Sequence, residues 1–506
     1  MTWRLATRLA ASTVGGALLV ALAIANAAGY RFGVSDQAFY LPSILYAGDH
    51  ALYPRDATLL QAQGRLMVSD ELTAWIVAHT GLSIEALFLA GHLASLALLF
   101  TAVWLLARRL AASRWTAAAA CLAVTLRHRI TETGANTFEG YYHPRGLAFA
   151  CGALGAAAMA RDRVGTAWGL VALATVLHPT TGVWWAVWLV AATFVVRPQW
   201  RRHLTAATMA AAALAGAALL FTSMGGRLRV MDAAWILPFA SKDYVFPNAW
   251  PLGAWFANLI LPVVVVAVWR WRVREGRAAP WEAGMAAGVV VLTATFLLSL
   301  PFIAAHVALA VQLQTSRIFW VVDLFAVLSM TWALAEAVSA AAATPAGSRA
   351  RAWRPVALTV VLLVASAARG LYGLGVEHPE RAFVQATLKE TDWVRVGRWI
   401  AIHRPIDAHV LADPDHDWKF GHSVRLTAQR DVLVEGVKDA AVSLYDRDVA
   451  TRVQARLEAI GDFSSLDAPR ARVLAQQFDL DLLLIDRDLP LPELHRDGRF
   501  RVYRLQ

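Results

Sequence analysis

The chain has 506 residues, 58% of them hydrophobic, and a mean hydropathy of +0.47, too apolar for a soluble enzyme of this length. Its formal charge of +10 does not mark a nucleic-acid surface, because the arginines cluster in every second short connection between apolar blocks, the positive-inside pattern of a membrane protein. The two cysteines, Cys121 and Cys151, fall in or beside apolar segments and offer the exported parts no disulfide framework.

The apolar blocks predict eleven spans, at 8–29, 83–107, 112–127, 146–160, 164–180, 183–197, 204–223, 253–270, 281–301, 317–342 and 354–373. The first block, Leu5 to Ala28, lacks a convincing small-residue cleavage site followed by a soluble chain, and reads as a retained helix rather than a secretory signal. Clusters such as Arg108, Arg109 and Arg114, or Arg270, Arg272, Arg274 and Arg277, mark the inner connections. Eleven crossings from a cytoplasmic N-terminus leave the C-terminus outside. The spans 112–127, 146–160 and 183–197 are short for a hydrocarbon core of ~30 Å, which implies tilt, thinning or a re-entrant path. The stretch 303–316, with His306, reads as a half-helix on the outer side leading into the span after Arg317.

The outer connections differ in kind from the inner ones. The first, about 30–82, is rich in Asp, Tyr and Pro and has room for amphipathic helices. The second, Arg127 to Arg145, gathers two acids, two histidines, three arginines and a Tyr-Tyr pair. The loop Gly225 to Leu252 carries Arg227, Arg229, Asp232, Lys242 and Asp243 among aromatics, which suit either an interfacial anchor or a platform for sugar or isoprenoid. Beyond Leu371 the composition turns charged. A helix is expected over Asp392–Ile402, a strand over Ala408–Ala412, a helix over Arg470–Phe478, and strands over Leu480–Ile485 and Phe500–Leu505. The fold class is therefore an α-helical polytopic membrane protein of about eleven transmembrane helices, with a small α/β extracytoplasmic domain at the C-terminus. The division is 1–375 and 376–506.

No Walker loop, GxGxxG, GxSxG or paired cysteine ligands occur, so ATP-driven or nicotinamide-dependent chemistry has no support. The cofactor is unknown: a divalent metal has no clear ligand set, and a zinc site on His143 and His178 lacks further ligands. The polar turn Asp413, Asp415, His416 and Asp417 is either a solvated loop or a cation site. What remains is a carboxylate-and-cation constellation on one membrane face. Asp36, about one turn past the first span, is placed to act as general base on an acceptor hydroxyl. Glu139 is either a second catalytic acid or the partner of Arg145. Arg145 and Arg317 stand where spans meet the outer face, and guanidinium suits phosphate. His143 belongs to the same loop, and His178, before Pro179, either caps a helix end or touches ligand.

Ser35-Asp36-Gln37 just after the first span, Gly48-Asp49 and Tyr53-Pro54-Arg55-Asp56, with a many-helix body and an exported α/β domain, resemble the GT-C superfamily of membrane glycosyltransferases. The stretch Glu139–Arg145, followed by spans meeting at Leu177-His178-Pro179, is similar to a group of uncharacterised bacterial membrane proteins placed near that superfamily. The resemblance implies a multi-pass protein of the bacterial inner membrane. Such a protein takes a sugar from a polyprenyl-phosphate donor and passes it, with inversion, to a glycan, lipid or protein acceptor on the outer face. It implies Asp36 as the base, with Asp49, His143, Arg145, His178 and Arg317 binding substrate. The commonest pattern has two adjacent acids in the first loop; here Gln37 follows Asp36, and Asp49 or Glu139 is the candidate for the missing carboxylate. Two other classes stay open. A transporter or flippase of a lipid-linked or anionic solute would carry polar groups within its spans, where Asp323 is the main exception to an apolar pattern. A non-catalytic membrane scaffold would use the C-terminal domain to bind a partner.

Overall fold

The structure, a computed structural model, describes residues 2–64, 67–337 and 345–506. Each predicted span is a helix: Thr2–Asn26, Ile84–Leu110, Arg114–Thr125, Pro144–Met159, Val164–Leu177, Pro179–Val196, Arg201–Phe221, Leu252–Arg274, Pro280–Ala304, Ile318–Glu336 and Pro345–Tyr372. Positions 338–342 of the tenth predicted span lie outside the described residues. Among those described, seven helices are long and apolar enough to cross a membrane. The helix Arg114–Thr125 is not one of them, since 12 residues rise only ~18 Å. The helices are delimited by ordinary end chemistry. Ile84–Leu110 opens on Ser83, whose hydroxyl accepts from the Ala86 N–H, and carries Glu85 in its first turn and Arg108 and Arg109 in its last, each charge opposing the local end of the helix dipole.

Packing ranks the helices. The segment Ala308–Glu336 is 83% buried across its apolar window, whereas Pro198–Phe221 is 6% buried, so the first forms the centre of the bundle and the second lies at its edge. The helix Pro144–Met159 is buried on nearly every side, which its run of Ala and Gly permits. A Cβ on Gly152 would come 2.1 Å from Trp185 Cδ1, so the indole takes the space that glycine leaves. Gly152→Val is therefore expected to destabilise the bundle by about 1–3 kcal/mol, measured as a lowered midpoint in detergent melts.

Two acids inside the bundle have cationic or histidine partners. Arg272 makes a bidentate contact with Glu282, at 2.6 and 2.9 Å, joining Leu252–Arg274 to Pro280–Ala304. Asp323, the acid singled out within an apolar span, lies 3.3 Å from His128 Nδ1.

The first connection does hold helices, Gln37–Gly48, Ala57–Gly64 and Ser69–Thr80. The C-terminal region is built on a five-stranded sheet in the order Asp431–Val432, His409–Leu411, Leu482–Ile485, Phe500–Arg504, Glu493–Asp497. The first three strands are parallel and the last two antiparallel to their neighbours. The expected helices and strands are present; the sheet gains Asp431–Val432 and Glu493–Asp497, and further helices, Gly436–Val442 and Arg447–Ile460 among them, are added.

The C-terminal region is not independent of the first connection. Phe39, Leu52, Tyr53 and Leu60 share one core with Leu411, Leu433, Val442, Ile460 and Leu483. A short parallel pairing of Tyr30–Arg31 with Val384–Gln385 ties the exit of the first helix to the start of the α/β region. The chain thus brings its first connection and its last domain onto one face of the bundle.

Candidate active site

Asp36 reaches its position through a tightly specified loop. Past Asn26 the backbone turns through Gly29 and Gly33, at φ 88 and 77. A side chain at Gly33 would meet Leu388 at 2.3 Å, so glycine serves both the left-handed backbone and the close approach. Gln37, where an adjacent acid would stand in the GT-C pattern, is fully buried and structural. Its Oε1 accepts from the Gly33 N–H at 2.7 Å and its Nε2 donates to the Tyr142 carbonyl at 2.9 Å, fastening the first connection to the second. Asp36 precedes the helix Gln37–Gly48 but makes no side-chain capping bond to it, leaving its carboxylate to face the bundle.

Four groups surround that carboxylate. Lys438 Nζ lies 3.2 Å from Oδ1. His143 Nε2, the Tyr141 hydroxyl and the Arg145 guanidinium lie 3.4, 3.4 and 3.6 Å from Oδ2. Burial alone would raise the Asp36 pKa, but Lys438, His143 and Arg145 outweigh it and hold the carboxyl well below the usual carboxylate range. Its side chain keeps 36% of its surface open, because it lies deep in the fold yet faces a cavity. Asp36 is therefore an ionised, accessible carboxylate in a cationic setting.

Two His-Pro pairs build the wall opposite. His143 caps Pro144–Met159, its Nδ1 accepting from the Arg145 N–H at 3.1 Å. His178 caps Pro179–Val196, its Nδ1 accepting from the Thr181 N–H at 3.4 Å. A nitrogen that accepts carries no proton, so in each neutral ring the proton sits on Nε2. Proline at the first helical position suits this geometry, since its missing N–H would have had no partner there. The rings are 5.9 Å apart, and both helices begin at the cavity with their positive dipole ends. Capping, one of the two roles open for His178, is thus present.

Burial, helped by Arg145, lowers His143 to about 4 despite Asp36, and burial with His143 and Arg317 nearby holds His178 well below its ordinary value. Both rings are neutral at pH 7. Between pH 6.5 and about 4 the unfolded chain binds a proton that folded His143 refuses, so stability falls as pH falls through that window. His143→Gln is expected to flatten the slope, recovering up to about 3 kcal/mol near pH 4, read from unfolding midpoints across pH.

Arg317 completes the site. Its guanidinium sits 5.3 Å from the Tyr244 ring centre, its Nε is buried without a hydrogen-bond partner, and no carboxylate pairs with it among the described residues. Arg145 is different: Glu139 Oε1 lies 3.0 Å from it, and Glu139 is also bonded to Arg127 and Asn136. An inner cavity of about 80 Å³ is lined by Asp36, Tyr40, His143, Arg145, His178, Tyr244, Arg317, Lys438 and Tyr445. It shares Asp36, Arg145, Tyr244, Arg317 and Lys438 with a wider open cleft of about 980 Å³, which Glu139 also lines.

Six of the residues singled out in the sequence, Asp36, Glu139, His143, Arg145, His178 and Arg317, thus border one connected space. Asp49 does not. It ends the helix Gln37–Gly48, whose 12 residues carry it ~18 Å away from Asp36, and there its exposed carboxylate accepts from the Ala51 N–H at 2.9 Å. It supplies no second carboxylate to the site.

Sequence reasoning missed Lys438, which arrives from the C-terminal region. Its signal was rarity: the chain has four lysines, Lys242, Lys389, Lys419 and Lys438, and two of them line the cleft. Lys438 is placed by a chain of buried ion pairs. Asp56, from the Tyr53-Pro54-Arg55-Asp56 motif, binds Arg425 Nε at 2.7 Å, and Arg425 grips Asp439 at 2.7 and 2.9 Å. The motif is therefore a structural tether. The polar turn at 413–417 is similarly engaged: Asp413 pairs with Lys419, and His416 Nε2 lies 3.3 Å from Glu435. Among the described residues no group of three or more His, Cys, Asp or Glu side chains is arranged to hold a metal ion.

No family model matches the chain, and no curated protein is similar to it.

Proposed function

We propose that this protein is a membrane glycosyltransferase that moves a sugar from a polyprenyl-phosphate donor to an acceptor hydroxyl, with inversion, at the face carrying the C-terminal region. The observation that carries the reading is an accessible ionised carboxylate sharing a cavity with a half-buried guanidinium that pairs with no carboxylate among the described residues, with two helix N-termini opening onto the same space. Arg317, Arg145 and the His143 and His178 Nε2–H donors are the groups that would hold the donor phosphate. The acceptor oxygen attacks the anomeric carbon and its proton passes to Asp36. The bond from that carbon to the phosphate oxygen breaks, and its electron pair leaves with polyprenyl phosphate. Phosphate departs without a proton if cations receive its charge, so one carboxylate suffices where hydrolysis would use two.

A carboxylate held far below neutrality is a weak base in the free protein. The donor changes this. A phosphate that engages Arg145 and Lys438 draws them away from Asp36, and its own charge raises the carboxyl pKa, so the base strengthens as substrate binds. Glu139, bonded to Arg145, Arg127 and Asn136, is read as positioning Arg145 rather than accepting the proton.

A second reading, an anion-binding or translocating membrane protein without chemistry, draws on the four partners already surrounding Asp36, which would make that residue a counter-charge. The test is transfer itself. Protein in liposomes with a labelled polyprenyl-phosphate sugar and cell-envelope acceptors is expected to yield labelled product. Movement or retention of the donor with no new glycosidic bond sinks the transferase reading.

A further inference from the structure

A second concentration of positive charge lines the open cleft onto which the inner Asp36 cavity opens, where the first and last membrane helices end. Arg31, Arg127, Arg369 and Arg381 line a recess of about 150 Å³ together with Asn26 and Glu377, a volume several times that of one water. The backbone assembles them from four places. Arg31 stands on the strand pairing with 384–385, and Arg127 follows the helix Arg114–Thr125 in a left-handed conformation at φ 52. Arg369 lies in the last turn of Pro345–Tyr372, and Arg381 lies in the segment leading to Val384–Gln385.

Their counter-charges do not balance them. Glu377 is the one carboxylate lining the recess. Arg127 shares Glu139 with Arg145 at 3.4 Å, and Arg381 has a mostly open partner, Glu380, at 3.4 Å. Arg31 and Arg369 have no ion pair among the described residues; Arg369 reaches only the Arg127 carbonyl, at 3.4 Å. The Nε of Arg31 is buried with no hydrogen-bond partner. Burial, with Arg381 and Arg127 adding to it, pulls the Arg31 pKa down to about 10, the mark of a cation held where it is poorly neutralised. A lone surface arginine is stabilised by water and screened by salt; arginines gathered in a recess repel one another, and an anion between them relieves that repulsion.

We propose that this recess, which opens on the same cleft as Asp36 but shares none of its four arginines with the inner cavity, is a phosphate-binding site at headgroup depth filled by an anionic phospholipid or by free inorganic phosphate. Depth favours the lipid: the apolar helices Thr13–Asn26 and Trp353–Glu377 both end at the recess, which places it at the level where membrane phosphates lie. The guanidinium fork and phosphate oxygens match in geometry as well as charge. The site stands or falls apart from sugar transfer, because its ligand need not react.

The test uses the full chain in detergent. Native mass spectrometry reads retention of phosphatidylglycerol against zwitterionic phosphatidylcholine, and calorimetry reads binding of inorganic phosphate. Wild type is expected to prefer phosphatidylglycerol, and Arg369→Gln to weaken it about tenfold or more. That variant loses only one long contact to a carbonyl and keeps the fold; Arg369→Lys should fall between. The doubly neutralised Arg31→Gln, Arg369→Gln protein should lose the preference. Displacement of the lipid by inorganic phosphate supports a site that takes either source. Phosphate binding that is sensitive to Arg369→Gln, without lipid preference, assigns the site to the free anion. Equal retention of both lipids with no phosphate binding, or affinities unchanged in Arg369→Gln, overturns the proposal.

Discussion

Asp36→Asn is expected to lower sugar transfer by about 10²–10⁴-fold, the usual contribution of a general base, while donor affinity holds or rises. Asn keeps the shape of Asp36, so the loop fixed by Gly33 and Gln37 has no reason to move. It removes the group to which the proposed mechanism assigns the acceptor proton. It also removes the negative charge that Lys438, His143 and Arg145 surround at 3.2 to 3.6 Å, leaving the cavity more positive toward phosphate. The expected signature is a fall in kcat with KM unchanged or reduced. Were Asp36 only a counter-charge, the affinity change would appear alone and transfer would continue.

Arg425→Met is expected to cost about 3–5 kcal/mol, because it strands Asp439 as a buried acid with no cation and leaves Asp56 only its longer contacts with Arg452 and Arg456. Arg425 is 2% exposed and Asp56 0%, so water cannot replace the guanidinium. Arg452 and Arg456 stay within ion-pair reach of Asp56 at 3.6 and 3.7 Å, but neither makes the 2.7 Å hydrogen bond that Arg425 does. The loss should show as a lowered unfolding midpoint in detergent. A double-mutant cycle of Asp56→Asn with Arg425→Met should give coupling of about 1–3 kcal/mol. Because Asp439 follows Lys438 directly, the variant should also release Lys438 from Asp36 and depress transfer. A stability change below about 1 kcal/mol would mean that the tether does not hold the two regions together.

The sequence was legible where the physics is local. Apolar blocks placed a helix at each of the eleven predicted spans, of which seven among the described residues are long and apolar enough to cross a membrane, and alternation or helical spacing gave the strand at Leu482–Ile485 and the helix at Asp392–His403. Short polar runs beside span ends located Asp36, His143, Arg145, His178 and Arg317, since each lies at the mouth of a helix. What the sequence hid was contact at long range. Nothing near Lys438 announces a partner 402 positions away, and the tether through Asp56 and Arg425 spans 369 positions. The acid at Asp49 was misplaced as well. The resemblance offered Asp49 as the missing second carboxylate, but the helix Gln37–Gly48 carries it away from Asp36. Gln37, by contrast, departs from the GT-C pattern because buried backbone groups of Gly33 and Tyr142 claim its amide.

The most direct measurement is a density map of the protein with a polyprenyl-phosphate sugar bound. The phosphate is expected against Arg317 and Arg145 in the inner cavity, the anomeric carbon beside the space that an acceptor oxygen would occupy, and Asp36 within about 3.5 Å of that oxygen. A lipid phosphate lodged outside this cavity, with Asp36 still engaged by Lys438 and His143, would contradict it.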